Sequence, residues 1–201
     1  MTQSTEQQID GRQRITDEAA HLFLTNGYAQ TSLRDIAAAV GIKAGSIYYH
    51  FDSKDDLLLA ILRQGLDVMI DAFEATAQAT AHAEPQDRVA AHVRSHLAAL
   101  FEHGPYTATH VTAFHTAPDE VRTAIVPDRD DYEAMWTELL MELQNDGHIR
   151  RRVDIGLSRL VLFGAMNSAV EWFHPERGNL DRLATTIADQ FWRGVRKEPS
   201  T

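Results

Sequence analysis

Apolar residues recur at intervals of three and four along almost all of this 201-residue chain, and no run alternates with the period of two that a half-buried strand needs. That spacing confines the fold to the all-α class. Ile15, Ala19, Leu22 and Phe23 share one face of a first helix, which ends at Asn26-Gly27, where glycine can turn left-handed without steric cost. Leu33, Ile36, Ala37 and Val40 line a second helix, opened by Thr31 or Ser32 and stopped by Gly41. A third, short helix is predicted from about Lys43 to Phe51. Ser53 caps a long fourth helix running toward His82, with Asp55 and Asp56 in its first turn, where the helix dipole favours anions.

Pro85 suits the start of a fifth helix through Phe101, closed by Gly104-Pro105. The stretch from Tyr106 to Pro127 is predicted to be shorter and broken, because Pro118 and Pro127 interrupt it. Further helices are predicted from Asp130 to Asn145, from about Asp154 to Trp172, and from Leu180 to Arg196. The turn-forming run His174-Pro175-Glu176-Arg177-Gly178 separates the last two. This gives a small N-terminal domain over residues 1–52 and a larger helical body over residues 53–201.

The absence of cysteine excludes disulfides, thiolate zinc sites and cysteine nucleophiles. Residues 1–10 are polar and lack the basic and apolar regions of a signal peptide. The longest uncharged stretch of the C-terminal half, Leu160 to Val170, is well short of the roughly 20 apolar residues of a membrane span. A soluble, cytoplasmic protein is expected. The net charge of −10 counts against nucleic acid, because duplex binding rests on neutralising phosphates. Its distribution softens the objection: residues 1–52 hold four cations (Arg12, Arg14, Arg34, Lys43) against six carboxylates, a net of −2.

Two short helices joined through Gly41 fit a helix-turn-helix, whose second helix enters the major groove. The small residues Ala44, Gly45 and Ser46 allow close approach to DNA. Tyr48, Tyr49 and His50 can reach phosphates or base edges, and Lys43 adds the only cation of that helix. Ile47 and Phe51 read as core.

The run Gly27-Tyr28-Ala29-Gln30-Thr31-Ser32-Leu33-Arg34-Asp35-Ile36-Ala37 is followed by Gly41-Ile42-Lys43-Ala44-Gly45-Ser46-Ile47-Tyr48-Tyr49-His50-Phe51 and then Ser53-Lys54-Asp55-Asp56-Leu57. Together these closely resemble the TetR family of transcriptional regulators over roughly the first quarter of the chain. Val40 stands where alanine is commoner in that pattern, and Lys43 where serine or threonine often caps the recognition helix. The resemblance implies a homodimer on a palindromic double-stranded operator, acting as a repressor that a small effector releases. Thr31 and Ser32 would hold phosphate, and Lys43, Ala44, Ser46 and Tyr49 would face bases around Gly45. Tyr48, His50 and Lys54 would bind further phosphates. No cofactor and no catalytic residue is implied.

The same resemblance places an effector pocket and a dimer face in the body. Phe101, His110, Phe114, Trp136, Met166 and Trp172 are the pocket candidates. Leu160, Phe163, Val170, Leu183, Ile187 and Phe191 are the dimer candidates. The segment from Glu171 to Gly178 looks like a Trp-aromatic-x-Pro-x-x-Gly stretch of a branch controlling fatty-acid, aromatic-acid and sterol catabolism, whose members respond to acyl-coenzyme A thioesters. Arg94, Arg122 or Arg159 would then meet coenzyme phosphates.

Two other classes stay open from the residues alone. His92 and His96 stand one helical turn apart, the spacing of a metal-responsive site, although structural zinc needs four ligands. A helical partner-binding protein without DNA binding also fits the acidic head. An enzyme is disfavoured, since no Gly-x-Ser-x-Gly elbow, phosphate loop or dinucleotide fingerprint is present.

Overall fold

The computed structural model describes residues 2–197, with side chains from Gly11 onward. These form α1 (Thr2–Asn26), α2 (Leu33–Val40), α3 (Ala44–Ile47), α4 (Lys54–Ala79), α5 (Pro85–Phe101), α6 (Pro105–Ala113), α7 (Asp119–Asn145), α8 (Ile155–Asn167), α9 (Ala169–Trp172) and α10 (Leu180–Val195). A 3₁₀ turn covers Phe114–Thr116, and the extended backbone pairing among the described residues is the isolated bridge Ile149–Arg196. No described helix is long and apolar enough to cross a membrane.

Three element boundaries differ from the periodicity reading. The third helix stops at Ile47, and Tyr48 to His50 continue as a tight turn in which the Tyr49 N–H donates to the Ser46 carbonyl. The helix predicted to begin near Asp130 begins at Asp119 and passes through Pro127. A proline inside a helix removes one hydrogen bond and costs about 3 kcal/mol. Here Val121, Ile125 and Tyr132 are buried on the same helix, and their burial at about 1.5–3 kcal/mol each exceeds that cost. The segment from Asp154 is divided at Ser168, which serves as both end of α8 and start of α9.

The chain divides into two compact units. In the first, Met1–Asp67 with His103–Asp128, the core joins Ile15, Ala19 and Phe23 of α1 to Ile36, Ile47, Phe51 and the Leu57–Leu62 stretch of α4. Helix α6 ties two other helices together. Tyr106 donates its hydroxyl to Asp17 and Thr109 Oγ1 donates to the Ala20 carbonyl (3.0 Å), both on α1. Thr107 Oγ1 donates to the Gly65 carbonyl (3.2 Å) and His110 Nδ1 to that of Leu62 (2.9 Å), both on α4.

The second unit, Val68–Glu102 with Arg129–Thr201, is centred on an aromatic and polar cluster. Phe73 stacks on His92 with ring centres 4.2 Å apart, and Trp136 meets the edges of Phe73, His92, His96 and Phe163. His96 Nε2 donates to Asn167 Oδ1 (2.9 Å) and Nδ1 accepts the Tyr132 hydroxyl (2.8 Å). Val89, Val93 and Leu97 of α5 add aliphatic core, and α10 packs along α5 through Ala184, Ala188 and Trp192.

Candidate nucleic-acid interface

Ser32 opens α2 by accepting the Asp35 N–H on its hydroxyl, while Asp35 Oδ2 accepts the Ser32 N–H in return (2.9 Å), so one pair satisfies two otherwise orphaned donors. The Ser32 hydroxyl and N–H hold the Asp35 carboxyl below the usual carboxylate range. The N–H groups of Leu33 and Arg34, at a helix start, have no internal acceptor and point the positive end of the dipole outward. Gly41 closes α2 at φ +78°, a left-handed conformation that only glycine adopts cheaply, and its N–H returns to the α2 carbonyls. The chain then reverses directly into α3.

Lys43 is the N-cap of α3, with extended backbone and no side-chain cap bond, so its ammonium is not consumed by the fold. Behind it the helix buries only Ile47; Gly45 and Ser46 are exposed, and Tyr48 and Tyr49 are 61% and 71% exposed. Two large aromatic side chains held this far into solvent, next to small residues, form a surface that covers none of the chain's own core. A Cβ added at Gly45 would meet nothing within 4 Å, so the surface over the helix start is open. His50 is half-buried and meets Tyr49 edge to face.

A shallow depression of about 510 Å³ lies beside this surface, lined by Gln30, Thr31, Ser32, Arg34, Tyr48 and Lys54 among others. Lys54 Nζ donates to the carbonyls of Tyr28 (2.9 Å) and Thr31 (3.0 Å) and sits over the Tyr28 ring. One of its three N–H donors is left for an external acceptor. Thr31 has an internal assignment: it is buried, and its hydroxyl donates to the Gly27 carbonyl (3.0 Å). Arg12 lies over the Phe51 ring and Arg14 donates to the Val40 carbonyl, and both side chains remain exposed. Lys43, Arg34 and the remaining Lys54 donor are cationic groups that this surface can offer a phosphate.

The effector candidates fall in both units. His110 and Phe114 stack in the first. In the second, Trp136 and Met166 are fully buried, Phe101 meets Phe173 edge to face, and Trp172 is exposed. Sequence reading passed over Tyr132 and Asn167, the partners of His96 in the buried cluster, and took His92 and His96 as a possible metal pair. His92 keeps both ring nitrogens without a protein partner, and Trp136 Nε1 also makes no hydrogen bond of sound geometry. Burial holds both His92 and His96 near a pKa of about 4, so both rings are neutral. Their helical spacing was the available signal, and it pointed to a metal. Among the described residues no group of three or more His, Asp or Glu side chains could hold one.

The dimer candidates also separate. Leu160 is 54% exposed, whereas Phe163 turns inward onto His96, Tyr132 and Trp136. Val170, Leu183, Ile187 and Phe191 are half-buried. Leu157 and Val161, at 62% and 71% exposed, join Leu160 on one face of α8 and were not singled out by periodicity. Arg94, Arg122 and Arg159 are each engaged by carboxylates: Glu102 and Asp181, Asp119, and Glu133 respectively.

Comparison with known proteins gives the same outline. Residues 15–61 match the family model described as bacterial regulatory proteins, tetR family, and residues 82–195 match that of the tetracyclin repressor-like C-terminal domain. The HTH-type transcriptional repressor KstR2 of Rhodococcus jostii is 30% identical over 176 residues, 82% of this chain and 80% of that protein. The crystal structure of PfmR, a TetR family transcriptional regulator from Thermus thermophilus, aligns with TM-score 0.78 and 27% identity, covering 92% of this chain and all of that one. AibR, solved with isovaleryl coenzyme A and operator DNA, aligns with TM-score 0.78 and 25% identity over 92% of this chain and 97% of its own.

Proposed function

The chain belongs to the TetR family of bacterial transcriptional regulators, and on that premise we propose that it represses transcription as a homodimer released from its operator by an acyl-coenzyme A thioester. Residues 1–52 serve as the reading head and residues 53–201 as the ligand-binding and dimerisation body. The observation that carries DNA binding is the open face of α3, where Lys43, Ser46 and two largely exposed tyrosines surround Gly45. Lys43, Ala44, Ser46 and Tyr49 face bases. Tyr48, His50 and Lys54 hold phosphates, with the N–H groups at the start of α2 beside them; the Ser32 hydroxyl is held by Asp35 and caps that helix, and Thr31 fixes the loop that presents it.

The effector class rests on likeness to AibR, solved with a branched acyl-coenzyme A, together with the Trp172-Phe173-His174-Pro175 segment. Inside the second unit, the Trp136 and Met166 region supplies the apolar wall for an acyl chain. The exposed α8 face carrying Leu157, Leu160 and Val161 pairs with its copy in the dimer, because a contiguous apolar patch of this kind marks an interaction surface. Two heads on one dimer must reach half-sites about 34–36 Å apart, so a modest change in their spacing is enough to release DNA.

The relatives are regulators, and no catalytic step is assigned. Cytoplasmic residence follows from the need to reach DNA. The test is an electrophoretic shift of DNA from the protein's own promoter region, repeated with isovaleryl- and longer-chain acyl-coenzyme A. Retention of DNA and its loss with a thioester, but not with free coenzyme A, is the expected result. Failure to retain either that DNA or a selected oligonucleotide pool at low salt removes the repressor reading. Retention unaffected by any thioester removes only the effector class.

A further inference from the structure

We propose that the loop after α7 and the end of α10 form a binding site for the diphosphate head of an adenine nucleotide. Arg150, Arg151, Arg152 and Lys197, together with Asn145 and Ile149, line a concavity of about 480 Å³. All lie within the second unit. Its size falls in the usual range for small-molecule sites, about 300–1,000 Å³.

What sets this cluster apart is that four cations line one concavity with no described carboxylate paired to any of them. The protein carries 29 carboxylates against 19 lysines and arginines. Six of the arginines elsewhere are matched: Arg63 to Asp128, Arg88 to Glu142, Arg94 to Glu102 and Asp181, Arg122 to Asp119, and Arg129 and Arg159 to Glu133; Arg12, Arg14, Arg34, Arg177, Arg182, Arg193 and Arg196 make no ion pair with a described carboxylate. None of Arg150, Arg151, Arg152 or Lys197 makes an ion pair with a described carboxylate, although three are consecutive. Helix ends account for one of them. The Arg150 guanidinium donates to the Gly194 carbonyl, and its backbone N–H donates to that of Val195 (3.0 Å), at the negative end of α10. Arg151, Arg152 and Lys197 are exposed and have no such partner.

The backbone holds this arrangement firmly, as a site requires. The Ile149–Arg196 bridge and the Lys197 N–H bond to the His148 carbonyl (2.7 Å) fix the two segments side by side. Gln144 Nε2 clamps the loop by donating to the carbonyls of Arg150 (3.1 Å) and Val153 (2.9 Å). Guanidinium forks match phosphate oxygens bidentately, and their planes stack on aromatic bases. The exposed Asn145 amide can meet a base edge, and the aliphatic stems of Arg151 and Arg152 offer apolar contact. Diphosphate plus base is the chemistry these groups fit together. It is carried by free ADP and by the nucleotide end of coenzyme A. The site does not depend on the effector class proposed above.

Titration calorimetry on the full-length protein tests it, with ADP, 3′,5′-ADP, coenzyme A and inorganic pyrophosphate as separate ligands. Saturable binding of ADP or coenzyme A is expected, weakened about tenfold or more in R151A/R152A and unchanged in R177A/R182A, a control that removes equal charge from exposed positions of the same unit. Tighter binding of ADP assigns the free nucleotide; binding of coenzyme A alone assigns the cofactor's nucleotide end. Operator affinity serves as the folding check and is expected to be the same in both double variants and the wild type. Absence of saturable binding, equal weakening in the two double variants, or pyrophosphate binding as tightly as the nucleotides would overturn the assignment. So would a loss of operator affinity confined to R151A/R152A, which would give the cluster to DNA.

Discussion

The Lys54 ammonium lies 4.0 Å from the centre of the Tyr28 ring while donating to the Tyr28 carbonyl, so the first residue of α4 is bolted to the loop that opens α2. Tyr28 is fixed from its other end, where its hydroxyl donates to Asp55; burial, with that carboxylate, raises the phenol pKa and keeps it protonated. The positioning role of Lys54 and its proposed phosphate contact leave different signatures. Lys54→Met is expected to lower the thermal midpoint. It should also reduce the slope of log affinity against log salt by about 0.9, the value of one lost phosphate contact. A stability loss with an unchanged slope would leave Lys54 a purely positioning role.

Lys43 differs in that its side chain makes no internal hydrogen bond. Lys43→Ala should leave the melting curve unchanged and cost about 1–3 kcal/mol of operator binding, read by titrating labelled DNA at fixed salt. Equal weakening on operator and random DNA would place Lys43 on a phosphate; a larger loss on the operator would place it on a base.

Gly65 is the residue that lets α6 approach α4. A Cβ there would stand 2.7 Å from the Tyr106 carbonyl oxygen, and that neighbour is backbone, which cannot swing aside. Gly65→Ala gains about 1 kcal/mol in helix propensity but overpacks the crossing, at about 1–3 kcal/mol. Net destabilisation is expected by urea denaturation. Stabilisation would mean that α6 shifts freely along α4.

The buried histidines set an acid limit on stability. Both titrate near 4 when folded, against an ordinary value of 6.5, so between these values the unfolded chain binds more protons. Stability is complete above about 6.5 and falls as pH drops toward about 4, by at most of order 3 kcal/mol per histidine. His92→Phe keeps the stacking on Phe73, removes two unsatisfied nitrogens, and should roughly halve the steepness of that fall in a series of denaturation curves. An unchanged pH profile would show that His92 finds a proton acceptor on folding.

How far this was readable beforehand depended on whether a residue's role was local. The Ser53 cap, the Gly41 stop and the Pro85 start act within one turn of their own position and the sequence pattern located each, while the α2 cap was narrowed to Thr31 or Ser32, of which the structure uses Ser32. The passage of α7 through Pro127 was not legible, since it turns on burial of Val121 and Ile125 by partners distant in sequence. In the site, Lys43 and the exposed tyrosines stood out by type. The inward turn of the Thr31 hydroxyl did not, because Gly27 becomes its acceptor only once the loop has closed. Phe163 shows the same limit: periodicity placed it on an apolar helix, but only packing shows that it faces the Trp136 cluster, leaving Leu157 and Val161 outside.

If the proposed α8 interface holds, that division gives a way to break the dimer without unfolding the subunit. Val161 is the more exposed of the two, and changing it to glutamate removes no core contact, so the folded monomer should persist. A carboxylate placed in a desolvated apolar interface without a partner costs several kcal/mol, enough to dissociate a dimer at micromolar concentration. Val161→Glu is therefore expected to halve the mass measured by light scattering while the helical circular dichroism stays unchanged. Val126→Glu, at another exposed apolar position, should leave the mass alone. Operator binding should fall with the dimer, because a single head loses the second half-site. A dimer that survives Val161→Glu would move the interface off this face of α8.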